Sequence, residues 1–193
     1  MALINTTTTG VLGSTFYADG SGDLTIQQNG VTINQISSTG LLNGRLTSMT
    51  SQASTSGTSI DFTGIPSWVK RITVMFSGVS TNGSSAVLVQ LGDSGGIENT
   101  GYLGSGNATN FTTGFSDGFA DGAAVRHGQF NICLADSSTN KWVCAVSMGK
   151  SDTTTSSVGG FSKPLSATLD RVRITTVNGT DTFDAGTINV LYE

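Results

Sequence analysis

The sequence predicts an all-β protein, an N-terminal β-hairpin mount followed by an antiparallel β-sandwich, and three observations carry that prediction. First, in the stretch DFTGIPSWVKRITVMFSGVS (61–80), Ile72, Val74 and Phe76 alternate with Arg71, Thr73 and Met75. That is the period of a strand with one face in a core. Second, no window shows an apolar period of 3.6 residues, so amphipathic helices are not the main element. Third, Thr-rich, β-branched runs are punctuated by Asn-Gly pairs and by many of the 26 glycines, while prolines number 2. Such runs suit pleated strands joined by tight turns. Only 11% of residues are charged and 36% are hydrophobic, which is not the high-charge, low-hydrophobicity balance of a disordered chain.

Taken in order, residues 1–48 hold one clear hairpin, DLTIQQ-Asn29-Gly30-VTINQI. Asn-Gly suits the two positive-φ positions of a type I′ turn, which sets Gln28 opposite Val31 and Ile26 opposite Ile33. A lone hairpin is marginal in water, and Leu24, Ile26, Val31, Ile33 and Ile36 are too few for a private core. These five are therefore the candidate attachment residues, expected to pack on another body. Leu41 to Met49 suits a short strand or turn. Residues 49–57, which include TSQASTSG, have the composition of a flexible linker, the alternative being a long surface loop of one domain. Residues 58–193 form the head, with strands expected at 58–63, 69–78, 86–92, 99–104, 127–136, 141–149, 169–177 and 184–192. Weaker candidates lie near 111–115 and 153–161. Eight antiparallel strands in a domain of this size suggest a two-sheet sandwich of jelly-roll type. A domain of about 150 residues buries roughly 70% of its unfolded surface, so stability requires neither a disulfide nor a metal.

A four-residue loop Ser137–Asn140 between strands 127–136 and 141–149 sets Asp136 opposite Lys141, Ala135 opposite Trp142, Leu134 opposite Val143 and Cys133 opposite Cys144. In that register Trp142 and Val146 lie on the face opposite Leu134 and Val143, so both faces of the hairpin are apolar. Either a second subunit or a loop covers the extra face. Trp142 and Val146, with Trp68, are the candidate subunit-interface residues.

Charge and targeting signals narrow the function classes. A net charge of −4, with 9 Lys and Arg scattered singly, offers no basic stripe for nucleic acid or for an anionic membrane. No apolar run approaches the roughly 20 residues that cross a bilayer, and MALINTTTTG lacks the features of a signal peptide. The expectation is a soluble chain made in the cytosol. The sequons at Asn5, Asn82, Asn107, Asn110 and Asn178 then read as turn composition, and Cys133 and Cys144, near enough to bridge in the hairpin register above, as reduced buried thiols in preference to a cross-strand disulfide.

The strings that invite chemistry are weak. Gly92-Asp93-Ser94-Gly95-Gly96 is similar to the nucleophile segment of chymotrypsin-like proteases, but the single histidine, His127, follows it and no matching histidine motif is present. Asp117-Gly118 and Asp121-Gly122 do not have EF-hand spacing and read as turns anchored by Phe115 and Phe119. Asp181 and Asp184 follow a turn and form no recognisable acid pair. The expectation is a protein that is not an enzyme and carries no metal or cofactor.

The string SIDFTGIPSWVKRITVMFSGVSTNGSSAVLVQLGDSGGIENTGY and the tail LSATLDRVRITTVNGTDTFDAGTINVLYE resemble the C-terminal β-domain of bacteriophage virion proteins found in tail fibres and head-decorating proteins. GDLTIQQNGVTINQI resembles segments that precede that domain, whereas residues 101–125 and 150–163 show no likeness. The resemblance implies a homotrimeric, jelly-roll-like head on a short N-terminal mount, located on the virion surface, and no catalytic residue. The first role it implies is capsid decoration, with the major capsid protein as partner. The alternative is a tail fibre that meets a host surface receptor. The absence of a stalk in the sequence favours decoration.

Overall fold

The computed structural model describes residues 46–193 throughout and, before them, the backbone of residues 15–18, 24–28 and 31–36. The chain divides into two units, Met1–Leu46 and Thr47–Glu193. In the first, strands β1 (Thr15–Ala18), β2 (Leu24–Gln28) and β3 (Val31–Ile36) form an antiparallel sheet in that order. Gln28 pairs with Val31, but a register shift after Ile26 sets Ile26 opposite Asn34 and not opposite Ile33. The Asn29-Gly30 turn lies outside the described residues, as do the side chains of Leu24, Ile26, Val31, Ile33 and Ile36.

The second unit is all-β, with antiparallel sheets and no helix among the described residues. Its strands are β4 (Thr47–Ser48), β5 (Gln52–Ala53), β6 (Ile60–Thr63), β7 (Arg71–Thr81), β8 (Val87–Asp93), β9 (Gly96–Ile97), β10 (Leu103–Gly106), β11 (Thr109–Asn110) and β12 (Phe115–Ser116). The long strands β13 (Arg126–Asp136), β14 (Lys141–Lys150) and β15 (Ser156–Pro164) follow, then β16 (Arg171–Thr176) and β17 (Phe183–Tyr192). A large sheet runs β11-β10-β15-β14-β13-β7-β17-β4, with β5 also on β17; a small sheet runs β12-β8-β16-β6, with β9 on β8.

Strand β7 lies between β13 and β17, and its alternation behaves as the sequence predicts: Ile72, Val74 and Phe76 are buried while Arg71 and Ser77 are exposed. Its inner residues join Phe130, Ile132, Ile188 and Val190 of the large sheet and Phe62, Val87, Val89, Leu91, Val172 and Ile174 of the small sheet in one hydrophobic core. Two sheets that each bury one face against the other is the sandwich solution to covering apolar strand faces.

Three expectations are corrected. Residues 50–57 are not a free linker: β5 pairs with β17, Ser54 is fully buried, and its N and Oγ donate to Gly186 O (2.9 Å) and Ala185 O (2.8 Å). The open edge of β17 offers carbonyls that a Ser/Thr-rich strip can satisfy, so that strip becomes sheet edge. The 126–150 hairpin keeps Asp136 opposite Lys141, but Ala135 bulges out, so Leu134 pairs with Trp142, Cys133 with Val143 and Ile132 with Cys144. The cause is local: the Asp136 carboxylate accepts from Ser138 N, Ser138 Oγ and Thr139 Oγ1, so the loop claims it and the extra residue is expelled as a bulge. Finally, the one-residue offset leaves Trp142 and Val146 at 3% and 4% exposure in the core, with Leu134 packed against the same core, so Val143 is the outward apolar residue of that pair. Cys133 and Cys144 are free and face opposite sides of the sheet, an orientation that cannot be bridged without moving backbone.

Candidate functional site

The suspected nucleophile segment is a turn. Asp93, at the end of β8, accepts from Gly95 N (2.8 Å) and Ser166 Oγ (2.7 Å), and Glu98 pairs with Lys163 while accepting from Ser166 N (2.7 Å). These carboxylates tie the 165–167 loop to β8 and β9. Ser94 has no imidazole beside it, because His127 lies on β13 of the other sheet. There His127 Nδ1 accepts from Gly78 N at 3.3 Å, and Nε2 lies 3.2 Å from Ser151 Oγ. Nucleophilic activation of the kind the string suggests needs that base in hydrogen-bond reach.

The Asp-Gly segment is likewise structural. Asp117 and Arg126 both have fully buried side chains and pair at 2.6 Å. Asp117 also accepts from Phe119 N, and Arg126 donates to Ala124 O (3.2 Å) and Phe119 O (2.9 Å). Burial pushes the Asp117 carboxyl up, against the pull of Arg126. Asp121 pairs with Lys150 at 2.5 Å, and the ammonium sits 5.3 Å above the Phe119 ring. No group of three His, Cys, Asp or Glu among the described residues is placed to hold a metal. Asp181 accepts from Ser85 N and Asn178 Nδ2 in the loops beside β16, and Asp184 from Ser80 Oγ across the β7–β17 pair, so the two acids serve separate contacts.

Many of these acids are held in their charged form. Ser166 and Gly95 hold Asp93 below the ordinary aspartate value of 3.8, Lys150 does the same for Asp121, the Val125 amide for Asp152 and Asn178 for Asp181. For Glu98, burial pushes upward, but Lys163 and Ser166 outweigh it and the carboxyl falls below 4.5. A carboxyl whose folded pKa is depressed contributes stability above its unfolded pKa and loses it as pH falls through the folded value. These depressed carboxyls are therefore expected to lower the melting temperature as pH falls below the ordinary values of 3.8 and 4.5, with Asp117, pushed up by burial, contributing with the opposite sign. Calorimetry across that range checks it; a melting temperature that rises on acidification contradicts it.

Two surfaces remain. One is a groove of about 330 Å³ on the outer face of the small sheet. Register sets Asp61, Arg173 and Gln90 side by side across β6, β16 and β8, with Thr175 opposite Leu88 in the next row. Arg173 is held by a two-pronged bond to Asp61, 2.7 Å on each arm. Gln90 Nε2 donates to Thr113 O (2.9 Å), and Thr175 Oγ1 to Thr58 O (2.9 Å). Ser59, Asn99, Thr113, Val177 and Asn178 also line it.

The other surface is the outer face of the large sheet. The rows Thr73–Asn131–Ala145–Gly160–Ser105 and Met75–Gln129–Ser147–Val158 carry no charged side chain. The adjoining row, Leu103–Ser162–Val143–Cys133–Arg71, reaches a charge only at Arg71, which pairs with Glu193. Leu103, Val143 and Val158 stand 67%, 39% and 77% exposed on this face. Of the candidate subunit-interface residues Trp68, Trp142 and Val146, Trp68 is the exposed one, at 37%, with its ring tilted over Tyr192 at 5.8 Å between centroids. Sequence reasoning raised an extra apolar face on the 127–149 hairpin but missed the groove and the uncharged rows, because each is assembled from separate segments. The available signal was the outward alternation Arg171, Arg173, Thr175 in β16.

Compared with protein families, with curated proteins and with solved structures, the chain finds no match.

Proposed function

We propose that the protein is a structural protein of a bacteriophage virion, a homotrimeric capsid decoration protein whose N-terminal unit docks on the major capsid protein. The observation that carries the assembly role is the central part of the outer face of the large sheet, where two adjoining rows carry no charge and Leu103, Val143 and Val158 stand exposed. Exposed sheet faces of monomers are normally studded with charge, whereas the centres of subunit interfaces are depleted of it. The division into a short unit and a larger head supports a mount-and-head organisation. Pairing of β7 with β17 and of β8 with β16, early strands with late ones, supports the jelly-roll-like reading of the head.

Sedimentation of the purified chain tests the assembly role. A trimer is expected, and Ala145→Arg or Val158→Glu, which puts a charge on the face without touching the core, is expected to yield folded monomer. A monomeric unmodified chain at micromolar concentration contradicts the trimer. Gold-labelled antibody against the head tests location: label over the shell supports decoration, and label confined to the tail refutes it. The second reading, a tail-fibre or receptor-binding protein that contacts the host cell surface, is favoured by the polar groove on the small sheet.

A further inference from the structure

We infer that the groove on the small sheet binds a neutral saccharide. Its chemistry narrows the ligand class by elimination. Arg173 is the charged group of the lining, and Asp61 beside it neutralises it through both oxygens of the carboxylate, so an ion finds no uncompensated countercharge. An apolar ligand finds little to cover, since Leu88 is 1% exposed and the remaining lining, Val177 apart, is polar. What the groove presents is a set of uncharged donors and acceptors. Gln90 spends its Nε2 on Thr113 O, which locks the amide plane, and among the described residues its Oε1 has no protein donor. The side chains of Asn99, Thr113 and Ser59 likewise make no hydrogen bond among the described residues.

An amide offers a donor and an acceptor side by side, which matches two adjacent hydroxyls of a sugar ring. The ring's C–H face needs one apolar contact, and Val177, 48% exposed at the groove's end, supplies it. A volume of about 330 Å³ falls at the small end of ligand sites, suited to one or two sugar rings. Because the floor is held by bonds within the protein, little side-chain freedom is lost on binding. The inference names the ligand class for the receptor-binding reading. It is separable from that reading, because binding by the purified chain is measured without virus or host, while failure to adsorb to cells removes only the receptor role.

The test is a saturation-transfer NMR titration of the full chain with glucose, galactose, N-acetylglucosamine and their β-linked trisaccharides, with N-acetylneuraminic acid as the charged comparison. At least one neutral sugar is expected to bind with a Kd of about 1 mM or tighter. Asn99→Ala is expected to weaken it at least ~10-fold, the effect of losing one well-placed hydrogen bond. Thr113→Trp, which fills the groove from an exposed position, is expected to abolish it, with far-UV circular dichroism and melting temperature unchanged in both variants. Silence from every neutral sugar, binding that survives both substitutions, or binding of N-acetylneuraminic acid alone each overturns the inference.

Discussion

Replacing Arg126 by Met is expected to destabilise the head by about 3–5 kcal/mol, the cost of leaving a buried charge without its partner. Arg126 and Asp117 have no exposed side-chain surface, so no water replaces the lost guanidinium. The arginine also donates to Phe119 O and Ala124 O, and the 117–125 loop would lose these ties together. Neighbouring contacts cannot substitute, since Lys150 is committed to Asp121 and Asp152 accepts the Val125 amide. The pH dependence of the deficit has a defined sign. Burial already pushes Asp117 up, and without Arg126 its folded pKa rises further above the ordinary 3.8. Protonation then favours the folded state, so stability is retained below the unfolded value and lost as pH rises through the folded one. The gap between variant and parent should narrow on acidification. Asp117→Asn, whose carbonyl still accepts from Phe119 N, should recover part of the loss when combined with Arg126→Met. Urea unfolding at neutral and mildly acidic pH measures all three. A deficit below ~1 kcal/mol, or one that does not change with pH, rules out the uncompensated-charge account.

Gly186→Ala is the second large effect. Strand β17 crosses β7 through two register shifts, one on each side of Ala185, and Gly186 sits in that bulge at φ +93°, a region open to glycine. A Cβ there would stand 2.3 Å from Gly78 O and 2.6 Å from Val79 N, both backbone atoms that no rotamer change can move. Gly78 has positive φ as well, at +68°, and the β13–β7 register shifts beside it, between Arg126 and His127. The paired bulges explain why burial in β7 skips from Phe76 to Val79 instead of continuing in steps of two. Strain and collision together are expected to cost roughly 3 kcal/mol, or ~6–12 °C of melting temperature for a unit of this size. Thermal unfolding of the variant checks this, and a loss under ~1 kcal/mol would show that the two strands part easily at the bulge.

The strands were legible because one strand's alternation depends on its own residues. Ile72, Val74 and Phe76 announce a buried face without reference to any neighbour, and the Thr- and Gly-rich intervals announce turns. Register was less legible. In the 126–150 hairpin the loop length and the Asp136–Lys141 pair suggested direct pairing, yet the hydroxyl-bearing loop takes the Asp136 carboxylate, Ala135 is expelled, and every inward position on β13 shifts by one. That single residue moved Leu134 to the side of Trp142 and Val146 and separated the cysteines. The buried pair Asp117–Arg126 was equally hidden, since a carboxylate in a Gly-rich segment carries no mark of the guanidinium that will meet it.

The sequence by itself determined an all-β chain of two sections, the position of its longest strands and the inner face of β7. The tertiary structure decided which strands share a sheet, that residues 50–57 edge β17, where the bulges fall, and which outward rows carry no charge. The groove lined by residues of β8, β16 and the segments beside them is of the second kind. The physical reason is that alternation is a local property of one strand, whereas neighbours, register and concave surfaces arise from contacts between residues as far apart in the chain as Asp61 and Arg173.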